Sequence, residues 1–198
     1  NPRAIISDHW KSIEKLPLNF CNKQKILCLI HGKEINHPIG SPIHTRMISS
    51  LNKSFKIIAN SNFTKDLAIN LGVEEHRILV INPGVDPVKE IPSKDLKKAD
   101  EIFKGKKQRL ITVSRYDKRK NHEKVIMAIR NLKEVYPDIV YICIGYGDEE
   151  ENLKKLVIEL KLEDQVKFLK DIPSDFKNAL ISKSNVFIMP SIIYKKSV

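Results

Sequence analysis

Hydrophobic residues follow two alternating patterns along the chain. Short, almost continuous apolar runs rich in β-branched side chains alternate with longer segments in which apolar residues recur every three or four positions. Strands that are apolar at nearly every position are typical of a sheet covered on both faces. The predicted strands are Ala4–Ser7, Ile26–Ile30, Lys56–Asn60, Arg77–Ile81, Leu110–Ser114, Val140–Ile144, Val166–Leu169 and Val186–Met189.

Segments of helical periodicity lie between these runs. One of them, Glu123–Tyr136, keeps a single apolar face and is closed by Pro137, and a segment that Gly72 ends shows the same spacing. The repeated order of strand, helix and strand predicts right-handed crossovers and parallel sheets. The apolar positions that define the three helices are Val125, Ile129, Leu132 and Val135, then Leu153, Leu156, Val157 and Leu160, and earlier in the chain Phe63, Leu67 and Leu71.

The alternation is interrupted once, at Pro83–Lys107. This segment begins Pro-Gly-Val-Asp-Pro and continues into a lysine-rich stretch, after which strand and helix patterns resume at Leu110. The sequence therefore predicts an α/β protein of two units, residues 1–85 and 109–198, joined by an interdomain linker at 86–108.

Composition and charge narrow the classes of function. The chain has 198 residues, 41% of them hydrophobic, and 35 Lys and Arg against 24 Asp and Glu give a net charge of +11. Such a balance suits nucleic acid, an anionic membrane or a phosphorylated ligand. The basic stretch Lys94–Arg109 contains Phe103 as its single aromatic residue, which argues against nucleic acid as a partner.

Cysteine usage and hydropathy bear on location. The three cysteines form no Cys-x-x-Cys pair and no metal-binding spacing with histidine, which favours a reducing compartment and a cytoplasmic protein. No window approaches the roughly 18 consecutive apolar residues of a membrane span. The basic charge leaves a peripheral contact with an anionic inner membrane face as a hypothesis.

The segment Ser114–Asn121 is the most informative for chemistry. It follows a predicted strand and opens a helix, with Asn121 as a candidate N-cap. In an open α/β sheet, ligands bind beyond the carboxyl ends of the strands. At this edge the Arg115 guanidinium would offer a planar set of hydrogen-bond donors and the Lys120 ammonium a positive charge. Both would lie beside the helix dipole, which suits a diphosphate. A solvated basic loop is the competing interpretation.

Two further strand ends carry candidate residues. Gly145 and Gly147 follow a strand, where glycine lets the backbone approach a ligand or merely makes a tight turn. His31 follows another strand beside Gly32, where it would donate a hydrogen bond to a sugar hydroxyl or a phosphate, or simply pack as a polar residue. Asn60-Ser61 predicts the cap of a helix that begins near Asn62.

Taken together and in order, these segments resemble glycosyltransferase family 4. The likeness covers roughly residues 26–191 and depends on eight pieces with family-like separations. They are Ile30-His31-Gly32 with Glu34, Ile58–Ser61, Pro83–Asp86, Val113–Arg115, Lys120-Asn121, Ile144-Gly145 with Gly147, Val166–Leu169 and Met189–Ser191.

The resemblance implies a GT-B architecture of two Rossmann-like domains. Residues 1–85 would then be the carboxyl-terminal part of the acceptor-side domain, and residues 109–198 the amino-terminal part of the nucleotide-sugar-binding domain. The implied reaction moves a sugar from a nucleotide-diphosphate sugar to a glycan or lipid-linked acceptor. The anomeric configuration would be retained, with neither metal nor cofactor.

The resemblance also assigns roles to residues. Arg115 and Lys120 would bind the donor diphosphate and stabilise the leaving nucleotide, and His31 would line the cleft near the donor sugar. Gly145, Gly147 and the loop at Asp171-Ile172 would lie by the nucleoside.

The family pattern extends beyond this chain at both ends. A glutamate-rich segment normally follows the Pro-Ser strand end, where this chain reaches Val198, and the first strands of the amino domain are not recognised. We therefore expect a fragment with half a donor site that is inactive alone. A non-catalytic nucleotide- or phosphate-binding module, or a decayed relative, is the alternative interpretation.

Overall fold

All eight predicted strands are confirmed in the computed structural model, which describes residues 3–87 and 89–192. The chain divides into two compact units, Asn1–Pro87 and Val88–Val198, called here the first and the second unit. Every strand pairing in both units is parallel, as the strand–helix–strand order predicts.

The first unit contains a four-stranded sheet in the order β1-β2-β3-β4. Because consecutive strands are neighbours, each connection packs a helix or a loop back against the sheet. Its elements are β1 (Ile5–Ser7), α1 (Trp10–Glu14), α2 (Leu18–Lys23), β2 (Ile26–Ile30), α3 (Pro42–Leu51), β3 (Lys56–Ala59), α4 (Asn62–Asn70), a 3₁₀ helix (Glu75–Arg77) and β4 (Ile78–Val80).

One face of the first sheet forms a core and the opposite face stays partly exposed. Ile26, Cys28 and Ile30 of β2 are fully buried with Trp10 in this core. Among the described residues the other face carries an apolar row across the four strands, and Ile6 and Leu79 at its ends are exposed. The expectation of a sheet covered on both faces therefore fails for this unit as the described residues show it. The row is Ile6, Leu27, Leu29, Ile58 and Leu79.

The second unit contains a four-stranded sheet in the order β7-β6-β5-β8. The chain turns back after β7 and places β8 on the far side of β5, so the strand order reverses at β5. Its elements are α5 (Ser93–Ile102), β5 (Arg109–Val113), a 3₁₀ helix (Lys118–Lys120), α6 (His122–Leu132), β6 (Val140–Ile144), α7 (Glu150–Glu159), β7 (Val166–Leu169), α8 (Ser174–Lys183) and β8 (Val186–Phe187).

Both faces of the second sheet are covered, as the near-continuous apolar runs predict. Every residue of β6 is buried. Tyr141 and Cys143 belong to the core formed with α6 and α7, whereas Val140, Ile142 and Ile144 belong to the core formed with α5 and α8. The alternation of side chains along a strand sends them to opposite faces.

The expected linker at 86–108 contains helix α5, which packs as part of the second unit. Ala99 and Phe103 are fully buried with Ile111 of β5. The apolar positions of this segment recur at helical spacing, but exposed lysines between them obscure the pattern. The segment between the two sheets is thus not an unstructured connection throughout.

The capping of α4 is as predicted. The Ser61 hydroxyl accepts a hydrogen bond from the Thr64 amide at 3.1 Å, and the Asn60 carboxamide oxygen accepts one from the Thr64 hydroxyl at 2.7 Å. No helix in residues 3–87 and 89–192 is long and apolar enough to cross a membrane.

Candidate functional site

Three loops of the second unit leave its sheet side by side. The last residues of β5, β6 and β7 are in register, with Val113 opposite Ile144 and Ile144 opposite Leu169. The loops after these strands therefore emerge at one carboxyl edge, which is where open α/β sheets bind ligands. Each of the predicted donor-binding residues lies on one of these loops.

The first loop, residues 114–121, is ordered by its own backbone and by one carboxylate. Asp117 accepts a hydrogen bond from the Lys120 amide through its side chain at 3.1 Å and through its carbonyl at 2.9 Å. This caps the single 3₁₀ turn Lys118–Lys120. The Tyr116 ring is buried beneath the loop and donates its hydroxyl proton to the Cys143 carbonyl at 2.8 Å.

Asn121 precedes α6 as predicted, but its side chain makes no capping hydrogen bond. Its backbone is left-handed, with a φ of 57°, and its amide donates to the Lys118 carbonyl at 3.2 Å. Asparagine adopts this conformation more readily than most residues. It therefore lets the chain end one helix and begin the next, and the predicted N-cap position is confirmed, although no side-chain cap forms.

Arg115 and Lys120 stand at the two ends of this loop. Arg115 is exposed directly after the β5 edge, and Lys120 is half-buried at the last residue before Asn121 and α6. Within the described ranges neither side chain pairs with a carboxylate. Two unneutralised cations beside the positive end of an 11-residue helix form a favourable environment for an anion.

Gly145 and Gly147 are required by contact between two loops. A Cβ on Gly145 would lie 2.0 Å from the Ser114 carbonyl oxygen, and one on Gly147 would lie 2.4 Å from that of Tyr116. Both glycines also have positive φ values, 148° and 157°. The Tyr116 amide donates to the Tyr146 carbonyl at 2.9 Å, so the glycine loop supports the loop that carries Arg115.

The third loop contains Asp171 and Ile172. Asp171 is exposed with a left-handed φ of 52°, whereas Ile172 is half-buried against the core under α5 and α8. The Gly145 amide donates to the Leu169 carbonyl at 2.9 Å, which joins the glycine loop to the end of β7, where the third loop begins. Contact of either residue with a nucleoside remains a prediction.

The segment after β8 crosses the Lys118–Lys120 turn. The Ile192 amide donates to the Arg119 carbonyl at 2.8 Å, and the Lys120 ammonium lies 3.8 Å from the Met189 sulfur. The predicted Met189-Pro190-Ser191 motif therefore lies next to one of the two candidate cations.

His31 lies at the carboxyl edge of the first sheet, directly after β2. Its Nε2 is 3.0 Å from a carboxylate oxygen of Asp8, which follows β1, the neighbouring strand. The side chain of Glu34 accepts hydrogen bonds from the amides of His31 and Gly32, so it fixes the turn. The structure thus gives His31 a carboxylate partner, and the sequence reasoning missed Asp8.

Three further residues of the candidate site were not predicted from the sequence: His122, Tyr141 and Asp117. His122 and Tyr141 are buried and hydrogen-bonded to each other at 3.0 Å beneath the loop of residues 114–121. A polar side chain inside the otherwise apolar run Val140–Ile144 was the available signal for Tyr141, and Asp at the residue before a short turn was the signal for Asp117.

Comparison with known proteins identifies a family. Residues 93–193 match the family "Glycosyl transferases group 1". The chain is 27% identical over 180 residues to the amylovoran biosynthesis glycosyltransferase AmsK of Erwinia amylovora, covering 86% of this chain and 43% of that protein. It is 22% identical over 169 residues to the GDP-mannose-dependent alpha-(1-6)-phosphatidylinositol monomannoside mannosyltransferase of Mycolicibacterium smegmatis, covering 84% and 44%.

The fold also matches solved structures. Anabaena Alr3699/HepE in complex with UDP superposes with a TM-score of 0.76 at 20% identity, over 95% of this chain and 53% of that one. The same protein in complex with UDP-glucose gives a TM-score of 0.70 over 96% and 53%. Of the two curated relatives above, the chain covers 43% and 44%, so it spans less than half of their length.

Proposed function

The chain belongs to the glycosyl transferases group 1 family, and we propose from this that the full-length protein transfers a glycosyl unit from a nucleoside-diphosphate sugar to an acceptor. The chain has the α/β fold with two parallel sheets that its GT-B relatives share. Because it spans under half of its curated relatives, the proposal concerns the whole enzyme, to which this chain contributes part of the donor site.

The observation that carries the proposal is the placement of Arg115 and Lys120. Both cations flank one loop at the carboxyl edge of the sheet and at the start of α6, without a carboxylate partner in the described parts of the chain. Departure of a nucleoside diphosphate builds negative charge on the β-phosphate. Preorganised cations stabilise that charge as it develops, which is the work a divalent metal does in other transferases.

We extend the proposal to the finer chemistry of the reaction. The two side chains make a metal or a cofactor unnecessary for leaving-group departure, and transfer proceeds with retention of the anomeric configuration. Asp171 and Ile172 contact the nucleoside, and Gly145 and Gly147 shape the donor-binding edge through the loop contact described above. His31, whose Nε2–H donates to Asp8, has Nδ1 left to accept a hydrogen bond from a hydroxyl of the donor sugar.

Nucleotide binding tests the donor site directly. We expect the chain to bind UDP, GDP or ADP more tightly than the matching monophosphate by about tenfold or more, because a second phosphate adds charge-assisted hydrogen bonds. Isothermal titration calorimetry with the three diphosphates and three monophosphates measures this. Arg115→Ala should remove the preference for the diphosphate, while Arg130→Ala, a change of equal charge on α6, should leave it intact. Equal affinities for diphosphate and monophosphate in the unaltered chain would contradict the proposal.

The acceptor side of the proposal is a glycan or lipid-linked molecule at the inner face of a membrane, in the cytoplasm. Its support is the exposed basic face of α5, which presents Lys94, Lys97 and Lys98 to solvent, within a chain of net charge +11. Lysines near an anionic leaflet each contribute about 1 kcal/mol to binding at low ionic strength. Arginine- and lysine-rich surfaces of this kind lose their attraction as salt rises.

Sedimentation with liposomes checks the membrane contact. We expect binding to vesicles containing phosphatidylserine but not to pure phosphatidylcholine, and a loss on the order of 100-fold when the three α5 lysines are replaced by glutamine. The control replaces Lys11, Lys15 and Lys33 of the first unit, which are exposed and carry the same charge. Binding without preference for anionic lipid would reject the contact.

A further inference from the structure

A mostly buried row of hydrogen bonds runs from Ile188 to Ser114, at the base of the loop of residues 114–121. It begins at the Ile188 carbonyl, 2.7 Å from the Thr112 hydroxyl, and continues to the Tyr141 hydroxyl at 2.8 Å. Tyr141 contacts His122 Nδ1 at 3.0 Å, and His122 Nε2 contacts the Ser114 hydroxyl at 3.0 Å. We call Thr112, Tyr141, His122 and Ser114 the relay.

The direction of each hydrogen bond in the relay follows from its first member. A carbonyl oxygen only accepts, so Thr112 donates its one hydroxyl proton to Ile188. Thr112 must then accept from the Tyr141 hydroxyl, and Tyr141 in turn accepts from His122. In a neutral imidazole this places the proton on Nδ1 and leaves Nε2 to accept from the Ser114 hydroxyl at 3.0 Å; the other acceptor near that hydroxyl, the Arg115 carbonyl, is farther away at 3.3 Å.

Burial favours the neutral form of this imidazole. His122, Tyr141 and Thr112 are at most 1% exposed. Burial lowers the pKa of His122 below its usual range. The Lys120 ammonium reinforces this lowering, whereas the Arg115 carbonyl and the Asp117 carboxylate oppose it. The Tyr116 ring closes the remaining side with an edge-on contact at 5.1 Å between ring centroids.

The relay holds the loop at its base. Ser114 is the residue before Arg115, and His122 is the residue after Asn121, so the bond between them joins the two ends of the 115–121 segment. The other end of the relay binds Ile188, directly before Met189, whose sulfur contacts Lys120. One end of the relay is therefore adjacent to Arg115 in the chain, and the other lies one residue from the side chain that contacts Lys120.

We propose that His122 is a positioning residue of the donor site, which as a neutral Nδ1–H imidazole closes the base of the 115–121 loop and sets the placement of Arg115 and Lys120. This rests on the proposed diphosphate site. His122 touches no substrate in this arrangement, and it acts through Ser114 on one side and Tyr141 on the other. Buried networks of this kind are effective only when every member is satisfied.

The tautomer of His122 is a direct test that needs no ligand. In ¹⁵N-histidine-labelled protein at pH 7, the long-range ¹H–¹⁵N spectrum should show His122 protonated at Nδ1 and unprotonated at Nε2, its signals being assigned by their loss in His122→Gln. A proton on Nε2, or an averaged pattern, would overturn the relay as drawn.

The pH dependence of stability gives a second readout. Because the pKa of His122 is lower in the folded chain than the usual value near 6.5, the unfolded chain binds the extra proton first. The contribution of neutral His122 to the free energy of unfolding should therefore be lost as pH falls from 7.5 to 5.5. His122→Gln should abolish this part of the dependence of the free energy of unfolding on pH. Carboxylates with lowered pKa values, such as Glu14 and Glu150, lose their contribution only in a more acidic range. An unchanged slope in His122→Gln would count against the assignment.

Binding of pyrophosphate tests the positioning role itself, because this probe carries the diphosphate without a base. We expect Ser114→Ala and His122→Leu to raise its Kd about tenfold, and His122→Gln, whose amide both donates and accepts, to stay within about threefold of the original. The matched control is Ser184→Ala, which removes a half-buried hydroxyl bonded to the Leu180 carbonyl in the same unit.

The outcomes separate the two proposals. If the unaltered chain binds pyrophosphate and Ser114→Ala binds it equally well, the positioning role is refuted and the diphosphate site stands. If the unaltered chain binds no pyrophosphate, the diphosphate site is refuted and the positioning role with it. Ser114→Ala removes a single surface-proximal hydroxyl, so it keeps the test decisive should His122→Leu fail to fold.

Discussion

Replacement of Gly145 by alanine is expected to lower the free energy of unfolding of the second unit by about 2–6 kcal/mol. The new Cβ would lie 2.0 Å from the Ser114 carbonyl oxygen and 3.0 Å from its carbon, atoms of the backbone that cannot rotate away. Overpacking of this kind costs about 1–3 kcal/mol. The positive φ of 148° adds backbone strain of about 1–3 kcal/mol for any residue with a side chain.

A second glycine of the same unit separates strain from overlap. Gly105 also has a positive φ, 75°, but a Cβ there meets no atom within 4 Å. Gly105→Ala should therefore cost only about 1–2 kcal/mol, the penalty of a left-handed backbone. Urea denaturation followed by circular dichroism measures both changes. Equal losses for the two variants would show that the overlap with the Ser114 backbone is relieved at no cost, which would contradict the expectation.

This expectation changes the meaning of the glycine motif. The sequence left two interpretations of Gly145 and Gly147, backbone approach to a ligand or a tight turn, and in the structure these residues are required by the close approach of two loops of the chain itself. A motif that follows a strand indicates a tight backbone, but only coordinates say which backbone occupies the space. The glycines influence the candidate site through Ser114 and Tyr116.

The strands were predictable because their signal is local. Continuous apolar runs bounded by polar turns mark β2 and β6 without reference to any other part of the chain. Helix α5 was not predicted because the buried apolar residues in and directly after it, Ala99 and Phe103, are outnumbered by lysines and carboxylates that face solvent. Its apolar face stabilises the helix only when it packs against the second sheet.

The candidate site was predictable only in part, for a related reason. Arg115 and Lys120 could be found from their position after a strand and before a helix. The relay could not be predicted, because the residues joined by its hydrogen bonds are 8 to 76 positions apart in the sequence. Such a set of contacts depends on the register between β5 and β6, where Thr112 lies opposite Cys143.

Alanine at Arg115 or at Lys120 is expected to reduce transfer by the full-length enzyme about 30- to 1,000-fold in kcat/KM. This range corresponds to about 2–4 kcal/mol of lost transition-state stabilisation, the usual cost of removing one preorganised donor from developing negative charge. The loss should be larger in kcat than in KM, since the charge on the leaving diphosphate grows along the reaction. Steady-state assays with a panel of nucleotide sugars measure both constants.

The loop supplies its own control for this experiment. Arg119 is exposed between the two candidate cations, and its carbonyl, which alanine keeps, is the group that binds the Ile192 amide. Arg119→Ala removes the same charge from the same loop and should change kcat/KM less than threefold. Arg115→Lys should recover only part of the activity, because an ammonium keeps the charge without the planar fork of donors. Near-original transfer by the Arg115 or the Lys120 alanine variant would remove that residue from its role. A comparable loss in Arg119→Ala would mean that the general basic charge of the loop, and not the placement of two side chains, attracts the donor.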